Sequence, residues 1–275
     1  MKKIKSLISL LSICLVSAFA FTSCEFFQID NYKDPSETLK GEVVNVATGE
    51  RVQTDQTNDG IRIRLRELSW TGTAQPENFD FRCMMDGTFQ NTKLFAGHYN
   101  VRIDGPFIPL VRVNQKGDTI SDGSKYVDIK GITELKFEVQ PFLKVEWAGN
   151  PSVSNGKITA SFKVTRAVSP EEFKAKVEPM GGYNANFLDV TDVRLFVAFV
   201  PNVGLSINDN RYSVVSTNYT GNAFESLLGQ PITLTTLANI PSGRTVFIRA
   251  AARIRYTTES VSRYNYTEPV RVNIP

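Results

Sequence analysis

From Gly60 to Glu67 the chain reads GIRIRLRE. Apolar Ile61, Ile63 and Leu65 alternate with Arg62, Arg64 and Arg66, so a strand here buries one row and turns the other away. A helix would scatter both rows around its axis. The same period-two pattern recurs in HYNVRI, KYVDI, ELKFEV and FLKVEW, and no run of 12 residues in this half of the chain keeps a helical repeat. The Arg row is read as a solvated face that discourages edge pairing, in preference to a ladder for anions.

Beyond Pro141 the pattern continues through KITASFKVT, DVRLFVAFV, RYSVVSTNYT, PITLTTL, RTVFIRAAARIRY and EPVRVNI. With FLKVEW these make seven strands separated by Pro, Gly and Asn clusters, the spacing of an immunoglobulin or fibronectin-like sandwich. In FIRAAARIRY the pattern sends Ile248, Ala250, Ala252, Ile254 and Tyr256 inward, and Arg249, Arg253 and Arg255 outward. PEEFKAKVEPM is expected to form one short helix, capped by Ser169 with Pro170 in its first turn.

The N-terminus has a different character. Lys2, Lys3 and Lys5 precede an apolar run from Leu7 to Phe21, too short to span a bilayer comfortably and built like a secretory signal peptide. Phe21-Thr22-Ser23-Cys24 resembles a lipobox, which implies cleavage before Cys24 and lipidation of its thiol. Acyl chains would hold the protein on a membrane. The whole chain has 31 basic and 28 acidic residues, and residues 1–23 hold three Lys and no acid. The mature chain is therefore charge-balanced and gives no reason to expect nucleic-acid binding. Cys14 leaves with the signal and Cys24 is modified, so Cys83 remains alone without a disulfide partner. Residues 24–39 read as a flexible tether, 40–141 as a first β-domain and 142–275 as a second.

Two motifs sharpen the first domain. Gly41 to Val52, GEVVNVATGERV, is a strand, a Thr-Gly-Glu turn and a second short strand. Asp86 to Ile103, DGTFQNTKLFAGHYNVRI, places a turn at Asp86-Gly87, Phe89 in the core, and Leu94 before a turn at Ala96-Gly97 that leads to buried Tyr99 and Val101. Together they resemble the carboxypeptidase-regulatory-like, or prealbumin-like, domain, which implies a Greek-key sandwich and no catalytic role of its own. The fold expectation is all-β: two sandwich domains, prealbumin-like and then immunoglobulin or fibronectin-like. Over nearly the full mature length, IDNYKDPSETLKGEVV, GIRIRL, FQNTKLFAGHYNV and DGPFIP resemble an uncharacterised Bacteroidetes lipoprotein family, a domain of unknown function. The resemblance implies an outer-membrane setting beside starch-utilisation-type glycan importers.

Candidate chemistry is sparse. His98 is the only histidine, followed by Tyr99, Asn100 and Val101, so the His-x-x-Glu of a zinc carboxypeptidase is missing. There is no G-x-S-x-G elbow or phosphate-cradling glycine loop. Cys83 reads as a buried thiol, Glu171-Glu172 as acids at a helix start, and Asn208-Asp209-Asn210 as a turn rather than a calcium loop. No metal or cofactor is expected.

Binding is the better candidate, because sugar rings dock their C–H faces on aromatic side chains. Trp147 reads as core. The candidates for glycan contact are Trp70 in the polar SWTGTAQPEN loop, Tyr183 in GGYNAN, Tyr212 and Tyr219 beside Asn-rich turns, and Tyr264 and Tyr266 in RYNYTEP. Asp118-Thr119-Ile120 resembles a short bacterial O-glycosylation sequon, which makes Thr119 a modification candidate. The functional expectation is a non-catalytic, lipid-anchored envelope protein that binds glycan or supports a polysaccharide-uptake complex. The alternatives are a structural or adhesive fimbrial-type protein, and a glycoside hydrolase with an unrecognised carboxylate pair.

Overall fold

The computed structural model describes residues 33–71, 76–217 and 221–275. Its main strands fall where the alternation puts them, while Asn78–Arg82, Arg112–Val113 and Thr119–Ser121 are strands in segments that the alternation did not mark as such. The first group comprises β1 (Glu37–Asn45), β2 (Arg62–Glu67), β3 (Asn78–Arg82), β4 (Thr88–Leu94), β5 (Gly97–Asp104), β6 (Arg112–Val113), β7 (Thr119–Ser121), β8 (Lys125–Ile129) and β9 (Ile132–Val139). One sheet has the order β4-β1-β9, the other β3-β2-β5-β8, and β6-β7 is a separate small hairpin. All ladders are antiparallel except β1 with β9. The core between the sheets holds Ile61, Ile63 and Leu65 of the alternating run, with the Phe89 and Phe137 rings tilted against each other, centroids 6.3 Å apart.

The two sequence motifs have local physical reasons. Gly41 lies where β1 runs closest to β9, and a side chain there would collide with the Leu135 carbonyl and the Phe89 ring. Gly87 adopts φ +79°, the left-handed value that glycine tolerates without a Cβ clash. Strand β1 begins three residues ahead of the expected domain start at residue 40, because Leu39 is fully buried and Glu37 already pairs with Leu94.

The second group comprises β10 (Leu143–Trp147), β11 (Ser152–Ser154), β12 (Lys157–Arg166), helix α1 (Pro170–Val177), β13 (Val190–Ala198), β14 (Val214–Thr217), β15 (Pro231–Thr235), β16 (Thr245–Ile254), β17 (Asn265–Tyr266) and β18 (Val270–Asn273). One sheet is β10-β12-β11 with β15 also on β12; the other is β14-β13-β16-β17 with β18 also on β16. All seven anticipated strands are present, and the additional β11 and β17 are only three and two residues long. Ser169 caps α1 by accepting from the Glu172 N–H at 3.1 Å, as its Ser-Pro start requires. The fold is thus all-β, two sandwiches in series.

The sandwiches meet closely, since Ser36–Pro275 forms one compact unit. Phe107 bridges to Pro141, the Asn265 amide donates to the Pro106 carbonyl at 3.1 Å, and Thr258 Oγ1 donates to the Gly105 carbonyl at 2.9 Å. This junction corrects two sequence expectations. The outer row of β2 is only partly solvated: Arg62 pairs with Asp104 (2.5 Å), Asp80 (3.4 Å) and Glu259 (3.3 Å), while Arg66 alone of the row is exposed. Arg249 of β16 does not face solvent, because its side is covered by residues 53–55 and 85 of the first sandwich and by Tyr266; it is 0% exposed.

Candidate ligand-binding site

At one end of the first sandwich, residues of both sheets and of the loops after β2 and β4 line a cleft of about 480 Å³. Leu65 from β2, Leu94 from β4 and Tyr99 from β5 form its floor, continuous with the core. Its walls are aromatic. Trp70 comes from the loop after β2, Phe79 from edge strand β3 and Phe95 from the turn after β4; they are 42%, 48% and 44% exposed. Glu67, Glu77 and Lys93 add charge to the lining. An apolar, aromatic-walled concavity with a few polar groups is the usual build of a ligand site.

Backbone and side-chain bonds hold these walls. The Tyr99 hydroxyl donates to the Phe95 carbonyl at 3.0 Å, which fixes the Phe95 turn. Burial, helped by Glu67, pushes the Tyr99 phenol up to about 12, so it stays a neutral donor at physiological pH. Leu68 N–H donates to the His98 carbonyl at 2.7 Å and His98 N–H to Ser69 Oγ at 3.0 Å. Ser69 Oγ in turn donates to Glu67 at 3.1 Å. The loop that carries Trp70 is therefore anchored at its start to the turn that carries Phe95.

Of the described aromatics proposed from sequence, only Trp70 lines this cleft. Tyr264 and Tyr266 are 1% and 5% exposed and cannot present a ring to a sugar. Tyr264 lies between the Arg194 and Arg253 guanidinium groups, 5.4 and 4.8 Å from its centroid, and its hydroxyl bonds Asp192. Tyr266 packs under Arg249 at 4.4 Å. Tyr212 is likewise buried, edge-on to Phe199. Tyr183 is half-buried against Phe187, with Lys174 above it at 5.7 Å. Tyr266 of β17 and Tyr264 just before it are covered by the arginines above them, while Tyr183 and Tyr212 sit in loops packed on Phe187 and Phe199. Cys24 and Tyr219 lie outside the described residues. Thr119 is exposed in β7.

Sequence reasoning missed Phe79 and Phe95. Both had a signal. Leu94 and Phe95 are adjacent apolar residues, so with Leu94 inward the phenylalanine has to leave the core. Phe79 shares its side of β3 with Phe81, but Phe81 packs against the core while Phe79 is exposed, a difference that alternation does not report.

Cys83, His98 and Asp209, weighed above as candidate chemistry, do not line the cleft. Cys83 is buried, with its thiol pushed far up by desolvation. His98 Nδ1 and Asp128 lie 2.7 Å apart on the exposed sheet face. Asp209 is occupied by Arg211 at 2.6 Å in a turn. Among the described residues no three His, Cys, Asp or Glu side chains group as a metal site.

No family model matches the chain, and no curated protein matches it. Solved structures do. A DUF3823 family protein from Bacteroides uniformis is 55% identical, covers 88% of this chain and 100% of its own, and superposes with a TM-score of 0.84. A candidate carbohydrate-binding protein from the same organism is 18% identical, with 87% and 100% coverage and a TM-score of 0.60. A DUF3823 family protein from Parabacteroides merdae is 18% identical, with 88% and 100% coverage and a TM-score of 0.59. The latter two share the fold. On the strength of the first, this chain belongs to the DUF3823 family.

Proposed function

We propose that the protein is a non-catalytic glycan-binding lipoprotein of the cell envelope, anchored through Cys24 to the outer membrane and serving a polysaccharide-uptake complex. The convergence of Trp70, Phe79 and Phe95 on one open apolar cleft carries the binding part of this reading. Sugar C–H faces stack on such rings, while Glu67, Glu77 and Lys93 exchange hydrogen bonds with hydroxyls. A structural neighbour named for carbohydrate binding supports the same ligand class. The lipobox-like segment supports the anchor. Tethering raises local concentration near an importer, so modest affinity per site suffices.

Affinity electrophoresis of the full chain in detergent, across gels containing different polysaccharides, tests the reading. Retardation in at least one gel is expected, with Trp70→Ala losing most of it. Full retardation of the variant, or none for the native chain on any polysaccharide, rejects the cleft. Because two carboxylates line it, each gel is also checked for chain length: degradation would convert the reading into glycoside hydrolysis. Labelling with a fatty-acid analogue, lost in Cys24→Ala, tests the anchor. Intact mass of Thr119→Ala against the native chain tests glycosylation.

A further inference from the structure

A second cavity lies at the junction of the two sandwiches, away from the aromatic cleft. It has a volume of about 220 Å³. One wall is the outer face of β2 and β5, with Arg62, Arg64, Arg102 and Asp104. The rest of the lining is mostly apolar and includes Val111, Met180 and Tyr256, with Thr257, Thr258 and the carboxylate of Glu259 adding polar groups. At roughly 10–15 Å³ of such space per water, the cavity has room for a small organic acid and not merely an ion.

The charges on the first wall are unevenly matched. Arg64 and Arg102 stand directly opposite each other across the β2–β5 ladder. Like charges in that position destabilise a sheet unless something neutralises them. Arg64 is neutralised by a two-pronged pair with Asp80, both contacts 2.7 Å. Arg62 is neutralised by Asp104, Asp80 and Glu259. Arg102 forms no ion pair among the described residues. Asp122 acts on it through space but makes no direct contact with it. A guanidinium that lines a partly enclosed cavity with apolar residues around it and a second guanidinium beside it is suited to a planar carboxylate.

We propose that this junction cavity binds the carboxylate of an acidic sugar, with Arg102 as the principal cation, Arg64 beside it, and the ring's apolar face against Tyr256 and Met180. The site is independent of the aromatic cleft, and it gives the arginine row of β2 and β5 a ligand. Calorimetry of the full chain in detergent tests it, with D-galacturonate and D-glucuronate compared with D-galactose. At least one uronate binds, and the neutral sugar binds at least tenfold more weakly. Arg102→Gln lowers the uronate affinity at least tenfold, whereas Trp70→Ala leaves it unchanged. Equal binding of galactose, or unaltered binding by Arg102→Gln, overturns the proposal. Should Arg102→Gln fail to fold by circular dichroism, Val111→Trp fills the cavity from the apolar part of its lining and is expected to abolish binding; retention overturns the proposal equally. An oligogalacturonate binding more tightly than the monomer identifies a polysaccharide source, and equal binding a free sugar acid.

Discussion

Strands β2 and β16 look alike as sequence, with arginines alternating against small or branched apolar residues, yet their arginines live in different surroundings. On β2 the guanidinium groups of Arg62 and Arg64 meet carboxylates at a partly solvated face. On β16 Arg249 is sealed from water, and all five of its N–H groups are used without one carboxylate. Nε donates to the Thr267 carbonyl at 2.7 Å. Nη1 donates to the carbonyls of Thr54 (2.7 Å) and Val203 (3.5 Å). Nη2 donates to Gln53 Oε1 and the Met85 carbonyl, each at 3.2 Å. The Tyr266 ring lies against its flat side. Burial pulls its pKa down to about 10, which still leaves it charged at neutral pH. A buried cation is expensive unless its donors are satisfied, and here oriented carbonyl dipoles do that work. Three of the five acceptors, on Gln53, Thr54 and Met85, belong to the first sandwich, so Arg249 also fixes one sandwich to the other.

The contrast can be broken most sharply at Arg249. Arg249→Ala removes five donors and leaves a void, and it is expected to lower unfolding free energy by about 4 kcal/mol. Urea denaturation measures this. A loss comparable to that of a surface substitution would show that the carbonyl cradle adds little. A smaller effect is expected at Asp192, the buried acid of the β16 face, which accepts from Arg253 at 2.7 Å, Arg194 at 3.0 Å and the Tyr264 hydroxyl. Asp192→Asn should lower stability by about 2 kcal/mol at neutral pH. Burial alone would raise the Asp192 pKa, but the Tyr264 hydroxyl and Arg253 outweigh it and hold it below the ordinary aspartate value. The stability this supplies is present above the unfolded value of about 3.9 and is lost as pH falls through the lower folded value. The gap between the native chain and Asp192→Asn should therefore narrow from pH 6 to pH 3 in parallel urea titrations, and a constant gap would contradict the assignment. The smallest effect is expected on β2: Arg64→Gln, at a partly exposed pair, should shift stability by about 0.5–1 kcal/mol. A loss as large as that at Arg249 would mean the β2 row is as structural as Arg249.

The same contrast marks how far the sequence could be read. Alternation assigned Ile61, Ile63, Leu65, Ile248, Ala250 and Ala252 to the core correctly, because an inward side chain in a two-sheet sandwich meets apolar neighbours whatever the connections. It also located the Asp86-Gly87 turn and the Ser169 cap, which are local effects. It misplaced Arg249 and left Tyr264 and Tyr266 open between packing and ligand contact, since period two says which residues share a side and not what covers that side. The cover on the outer face of β16 comes from residues 53–55 and 85, more than 160 positions earlier in the chain. The cleft was half legible for the complementary reason. Trp70 stood out in a polar loop, whereas Phe79 differs from core-packed Phe81 on the same side of β3 only in what covers it.

The placement of β1 has a mechanical consequence. It is the first strand of the folded body, yet it is the middle strand of its sheet, flanked by β4 and by parallel β9. A pull on the chain ahead of Glu37 therefore strains two ladders together along their length, and cannot peel an edge one bond at a time. If the chain is held at Cys24 while a polymer drags on the body, that load enters at a point where many bonds must yield at once.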